Sequence, residues 1–125
     1  MHTTNYRDTL ITVSPDCPVD AATVPPKPGS VAAVQHTLLA KPYTRTSDDL
    51  LHAAHLARGG DKSRADFFAK PQACLRASPL VKQFGWGIHH DGEGRVAMVA
   101  MESADYQRLL DDPNIDKRPG MRSKR

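Results

Sequence analysis

Sulfur and aromatic rings are scarce in this 125-residue chain, which has two cysteines, one tryptophan and 6% aromatic residues in all. Cys17 and Cys74 can close at most one bridge, so the chain is no disulfide-stapled scaffold, and both are expected as free thiols. No apolar run approaches the ~18 residues that cross a bilayer, which excludes a membrane-spanning helix and a membrane partner. Met1-His2-Thr3-Thr4-Asn5-Tyr6-Arg7 lacks the charged-then-apolar order of a secretory leader. These absences point to a cytoplasmic protein. Also missing are a Cys-x-x-Cys ligand pair and the strand, glycine spacing and helix of a Rossmann or P-loop unit, so no cofactor is implied. Gly92-Glu93-Gly94 reads as a hairpin turn instead.

Apolar residues make up 39% of the chain and charged residues 25%, an ordinary balance for one globular domain. The basic character is local. Residues 113–125 carry Lys117, Arg118, Arg122, Lys124 and Arg125 against Asp116, a net +4 out of the chain's +3, which leaves −1 for residues 1–112. The expected organisation is a single domain over 1–112, with a Pro-rich loop at 14–30, followed by a basic, irregular C-terminal tail over 113–125.

Thr9 to Val13 is β-branched and reads as a strand ahead of the Pro-rich loop. Ser30 caps a helix over Val31 to Ala40 with Val31, Val34, Leu38 and Leu39 on its apolar face. Thr46 or Ser47 followed by Asp48-Asp49 opens a second helix to Arg58, whose buried stripe is Leu50, Ala53, Ala54 and Ala57. A shorter helix covers Lys62 to Ala69, and Ser78-Pro79 starts a single turn to Gln83. Gly85 to His90 and Arg95 to Met101 form a hairpin. In its first strand Trp86, Ile88 and His90 face one way and Gly87 and His89 the other. Glu102-Ser103 opens a last helix, Ala104 to Asp111, packing Tyr106, Leu109 and Leu110 on the sheet. The expected fold is α+β, a small, mainly antiparallel sheet of about three strands with three or four packed helices.

Met1 to Tyr6, Asp16-Cys17-Pro18-Val19, Pro42-Tyr43, Thr46 to Asp49, Phe67-Phe68 with Gln72 and Cys74, Arg76 to Gly87 with His89, Glu102-Ser103 with Tyr106, and Met121 to Arg125 together resemble an uncharacterised bacterial family, a domain of unknown function of the 6157 type. That family usually has a basic residue then Tyr where this chain has Gln83-Phe84, and a glycine at Ala21 or Ala22. The resemblance implies no activity and assigns no catalytic residue.

Four groupings carry chemistry. Cys74 with His89 or His90 has the residue types of a nucleophile and base, since a neighbouring imidazolium lowers a thiol pKa; a buried thiol is the plainer alternative. His52 and His55, three apart on a helix, have a spacing metal ligands use, but too few further ligands accompany them and no metal site is assigned. Trp86 between glycines is either an open aromatic platform or a core indole with small neighbours that leave it room. Arg76 and Lys82, with Trp86 and His89, form the preferred ligand-binding set. The function expected is a ligand-binding or interaction domain with an anionic or aromatic partner, small molecule or protein, nucleic acid being less favoured. The alternative is an enzyme with a Cys nucleophile and His base; a third reading is a homo-oligomer formed through Trp86 and the apolar hairpin.

Overall fold

A computed structural model of the chain describes residues 3–123. Met1, His2, Lys124 and Arg125, which belong to the family-like ends and the basic tail, lie outside the described residues. The elements run β1 (Thr9–Thr12), α1 (Val31–Leu38), α2 (Ser47–Ala57), α3 (Arg64–Phe67), a 3-10 turn (Leu75–Ala77), α4 (Pro79–Gln83), β2 (Trp86–His90), β3 (Val96–Ala100), α5 (Ala104–Asp111) and β4 (Asp116–Pro119). The fold is α+β, as expected. Its sheet is mixed, in the order β3-β2-β1-β4, with two antiparallel pairs and β4 parallel to β1.

All five α-helices begin at a hydroxyl that accepts a first-turn amide: Ser30, Thr46, Ser63, Ser78 and Ser103. Thr46 and Asp49 complete a reciprocal capping box. These local signals place α4 and α5 within their expected bounds, whereas α1 stops at Leu38, short of Ala40, and α3 shrinks to one turn. In the hairpin, the Asp91 carboxylate accepts the amides of Glu93 and Arg95, and only Gly94 of the two turn glycines takes a positive φ, 80°.

The 113–125 stretch departs from the irregular tail expected of it. Asp116–Pro119 pairs residue for residue with Thr9–Thr12. Main-chain pairing with β1 recruits this strand, which has no apolar alternation to announce it; Pro119 sits at its end on the sheet edge, where a missing amide costs least. The 14–30 stretch forms no regular element but is tied down at its middle. Thr23 donates its amide to the Phe84 carbonyl, and the Glu102 carboxylate accepts the Ala22 amide.

One sheet face is covered by α1, α2 and α4 in a core of Ile11, Leu39, Leu50, Leu75, Leu80 and Ile88 among others. Two expected stripes are shifted there. On α1 Val31 is exposed, and Ala32, Gln35 and Leu39 are buried, because Gln35 accepts a 2.6 Å hydrogen bond from the Ser78 hydroxyl inside the core. On α2 Ala57 is exposed and the helix instead buries its first turn, Ser47 and Asp48, together with Leu50 and Ala54.

The other face carries α5, with Val13, Met101 and Ile115 packed beside it. Tyr106 packs with Leu10 and Val99 and accepts the Val13 amide through its hydroxyl at 3.0 Å. A Cβ on Gly87 would stand 2.5 Å from the Tyr106 ring, so Gly87 is small to admit Tyr106, not to leave room for the neighbouring indole. The buried first turn of α2 holds the N-terminal segment. Asp48, 4% exposed, accepts the Thr4 amide, the Thr4 hydroxyl and the Thr3 hydroxyl, each at 2.7 Å, while Asn5 accepts the Asp48 amide. The carboxylate also lies in the first turn, where the helix favours negative charge.

Asp48→Ala strands those donors in a buried place and is expected to destabilise the domain by about 2–4 kcal/mol, read as a lower urea midpoint with an unchanged slope. A midpoint equal to the parent's removes this carboxylate from the foundations of the fold.

Candidate functional site

Alternation along β2 sends Trp86, Ile88 and His90 to the multi-helix face and Gly87 and His89 to the α5 face. Two adjacent histidines therefore have different surroundings. His90 is wholly enclosed, and among the described residues neither ring nitrogen has a hydrogen-bond partner. Burial holds it neutral and pushes its pKa down to about 4; the Ile88 main chain and Asp91 oppose this too weakly to reverse it. Its ring meets Tyr6 edge to face at 5.4 Å.

Tyr6 is the centre of a small cluster that links three chain regions. Its hydroxyl is hydrogen-bonded to the Cys74 sulfur at 3.2 Å, and the Arg118 guanidinium lies 5.2 Å from its ring centroid. Burial and then Cys74 raise the phenol pKa, against the pull of Arg118 and Arg76. Arg76 is fastened by its Nε to the Pro119 carbonyl at 2.7 Å. Cys74 and Cys17 are both free and half-buried. Among the described residues, the structure brings no imidazole into hydrogen-bond contact with Cys74: His90 touches Tyr6 instead, and His89 faces the other side.

Trp86 and His89, two members of the expected ligand set, are on opposite faces of β2. The indole donates to the Thr23 carbonyl at 2.8 Å and meets His36 edge-on at 5.3 Å, pinning the Pro-rich loop. Lys82 is half-buried in the last turn of α4. His52 and His55 face each other across 6.3 Å and bracket Lys62: His52 donates to its carbonyl, and His55 accepts its amide. Those bonds tie the turn after α2 to the helix. Among the described residues, no three His, Cys, Asp or Glu side chains cluster as a metal site would require.

His89 is bonded through Nδ1 to the Tyr43 hydroxyl at 2.8 Å. Burial lowers its pKa below the ordinary value against the opposing carboxylates of Asp91, Asp8 and Asp112, so it is neutral near pH 7. Burial and Asp91 raise the Tyr43 pKa, keeping the phenol protonated. Tyr43 has a left-handed φ of 58°, a conformation that costs a bulky residue about 1–2 kcal/mol. Its amide bond to the Val96 carbonyl at 2.9 Å and its phenol bond to His89 hold it there. The effect is to stand the Tyr43 ring at the rim of a groove of about 700 Å³ on the α5 side of the sheet. Ala97, Val99 and Leu109 supply apolar lining, and Arg108 and Asp112 supply charge. That volume is within the range of small-ligand sites. The arrangement can hold an apolar group against the sheet and offer it the Tyr43 phenol, which His89 holds from behind.

The model of a family of unknown function, DUF6157, matches residues 1–125. The chain belongs to that family. No curated protein and no solved structure matches it. Among the described residues of this DUF6157 protein, no helix is long and apolar enough to cross a membrane.

Tyr43, Tyr6 and Arg118 are the site residues that the sequence did not single out. Pro42-Tyr43 lies in one of the family-like blocks, which is a signal of sorts, but nothing in a Pro-Tyr-Thr-Arg string announces a left-handed tyrosine. Arg118 looked like part of a solvated tail because β4 was invisible.

The buried His90 makes stability depend on acid. With a native pKa near 4 and an unfolded value near 6.5, the unfolded chain takes up its proton first as pH falls. Stability present above pH 6.5 should therefore be lost on going down to about pH 4, by about 3 kcal/mol from this residue. His90→Leu should flatten that part of the slope, measured as urea midpoints near pH 7 and near pH 4.5; an equally steep loss in the variant assigns it to other groups.

Proposed function

We propose that this DUF6157 domain is a binding module that takes its ligand in the groove between the Pro42–Tyr43 corner, β3 and α5. The observation that carries the reading is Tyr43, held in a strained conformation at the rim and bonded to His89. Strain of this kind persists where surroundings impose it, and it concentrates at ligand sites. Ala97, Val99 and Leu109 suit an apolar or aromatic group. Asp112, with Asp91 and Asp8 around His89, suits a positive charge at that end, since Arg108 already pairs with Asp105. The two free thiols fit a reducing compartment such as the cytoplasm.

An anionic partner is the second reading, and a separate observation favours it. Arg118 over Tyr6, with Arg76 nearby, gathers positive charge on the opposite side of the molecule from the groove. A catalytic Cys74 has less support, because its bonded neighbour is a phenol held in its protonated form.

Tryptamine and 2-naphthoate, an aromatic cation and an aromatic anion of similar size, separate these readings by amide-shift NMR. Tryptamine should move the amides of Ala97, Val99 and Leu109, and Asp112→Asn or His89→Ala should weaken it about fivefold. Binding of 2-naphthoate alone, lost in Arg76→Ala with Arg118→Ala, transfers the function to the arginine face. Groove amides that respond to neither compound overturn the groove reading.

A further inference from the structure

In an antiparallel ladder, alternate residues of an edge strand point their main-chain groups at the neighbouring strand and away from it. On β3, Val96 belongs to the outward set: its amide donates to the Arg45 carbonyl at 2.8 Å and its carbonyl accepts the Tyr43 amide at 2.9 Å. Met98 and Ala100 share its parity. The Ala100 carbonyl is taken by the Ser103 amide and hydroxyl, at 3.0 and 2.7 Å. That leaves the Met98 amide and carbonyl and the Ala100 amide without a protein partner among the described residues. Both residues line the groove, although Met98 packs its side chain into the core on the other face, so Met98 brings main chain to the groove.

The two edges of the sheet are treated differently. β4 is Asp-Lys-Arg-Pro, with the charges and proline that discourage strand pairing. β3 is Val-Ala-Met-Val-Ala, with neither. Part of that edge is already occupied by the chain itself, since Thr46 bridges Arg95 and Tyr43 and Arg45 bracket Val96. The free amides and carbonyl continue the same line beyond Tyr43.

From these features we infer that the groove receives an extended peptide, which adds to β3 as a fifth strand and carries a Lys or Arg at its Tyr43 end. The inference rests on the groove reading above and names the ligand class. Main-chain bonds to Met98 and Ala100 supply register, and every second side chain turns down onto Ala97, Val99 and Leu109. The charge follows from Asp112 on the wall and Asp91 and Asp8 behind His89, with Arg108 tied to Asp105. A slot of about 700 Å³ walled by Pro42–Tyr43 and α5 admits one strand of about four or five residues, roughly 15 Å long, more readily than the broad edge of a second copy.

The test is selection of a displayed library of random seven-residue peptides on the intact protein, followed by synthesis of the strongest binders. Ala100→Pro removes one outward amide and crowds the edge, at a position where an edge strand tolerates proline. Binding of the selected peptides should fall at least tenfold in Ala100→Pro, whose folding is checked separately by its urea midpoint. N-methylation along the peptide, measured on the parent protein, should abolish binding at every second position and spare the others, which keeps the test decisive even if Ala100→Pro misfolds. Peptides that show no alternation, or a selection whose binders all ignore Ala100→Pro in the folded variant, overturn the proposal. So does a concentration-dependent dimer that Ala100→Pro dissociates, because a second copy then owns the edge. Retained tryptamine binding with no strand-like peptide leaves the groove reading standing and removes only the peptide; loss of both removes both.

Discussion

A four-stranded sheet has two faces to bury, and this chain supplies helices enough for one. Strand backbones satisfy each other, but the apolar side chains that alternate above and below them each need a covering layer. On one side α1, α2 and α4 provide it, and Ile11, Ile88 and Val96 are sealed. On the other side α5, eight residues long, is the helix over Leu10 and Val99, and it lowers Tyr106 onto Gly87. Beyond the reach of α5 the sheet is open, and the Pro42–Tyr43 corner forms the far wall. The groove is thus a by-product of an unequal division of helices, and the strained tyrosine marks the place where the division leaves room.

Polar groups do much of the tying inside the sealed half. Gln35 and Ser78 connect α1 to α4, and Asp48 connects the first turn of α2 to Thr3 and Thr4. Each is satisfied by several donors or by a short bond, which is what a buried polar group requires to be neutral or favourable in the balance. His90 stands apart, with no such partner among the described residues. It is retained as a neutral ring whose edge-to-face contact with Tyr6 joins the sheet to the Cys74 and Arg118 segments.

Elements announced by local chemistry were legible in the sequence. Ser78-Pro79 and Ser103 fixed the starts of α4 and α5, and period-two alternation alone separated His89 from His90. Elements that depend on distant main chain were not. β4 has no apolar face and exists because β1 offers it a free edge; the α1 stripe rotated because Ser78, more than forty residues away, rewards a buried glutamine. The candidate site follows the same division. His89 carried a visible signal, whereas Tyr43 became significant only through its φ and its reach to another segment. Arg76 and Trp86, prominent in the sequence, donate to main-chain carbonyls, of Pro119 and Thr23.

The parallel pairing of β1 with β4 joins Thr9 to Asp116, 107 positions apart in the chain. Synthesis and folding therefore run on different schedules. β1 emerges early yet can take its place between β2 and β4 only after most of the chain exists, and pairings of such separation form slowly because loop closure must precede any reward. Until Asp116–Pro119 arrives, the inner strand of the finished sheet is an outer one, with an open apolar ladder at Leu10 and Ile11. The charges of β4 then serve a second purpose: the last strand to dock is also the one least able to recruit another chain once it has done so.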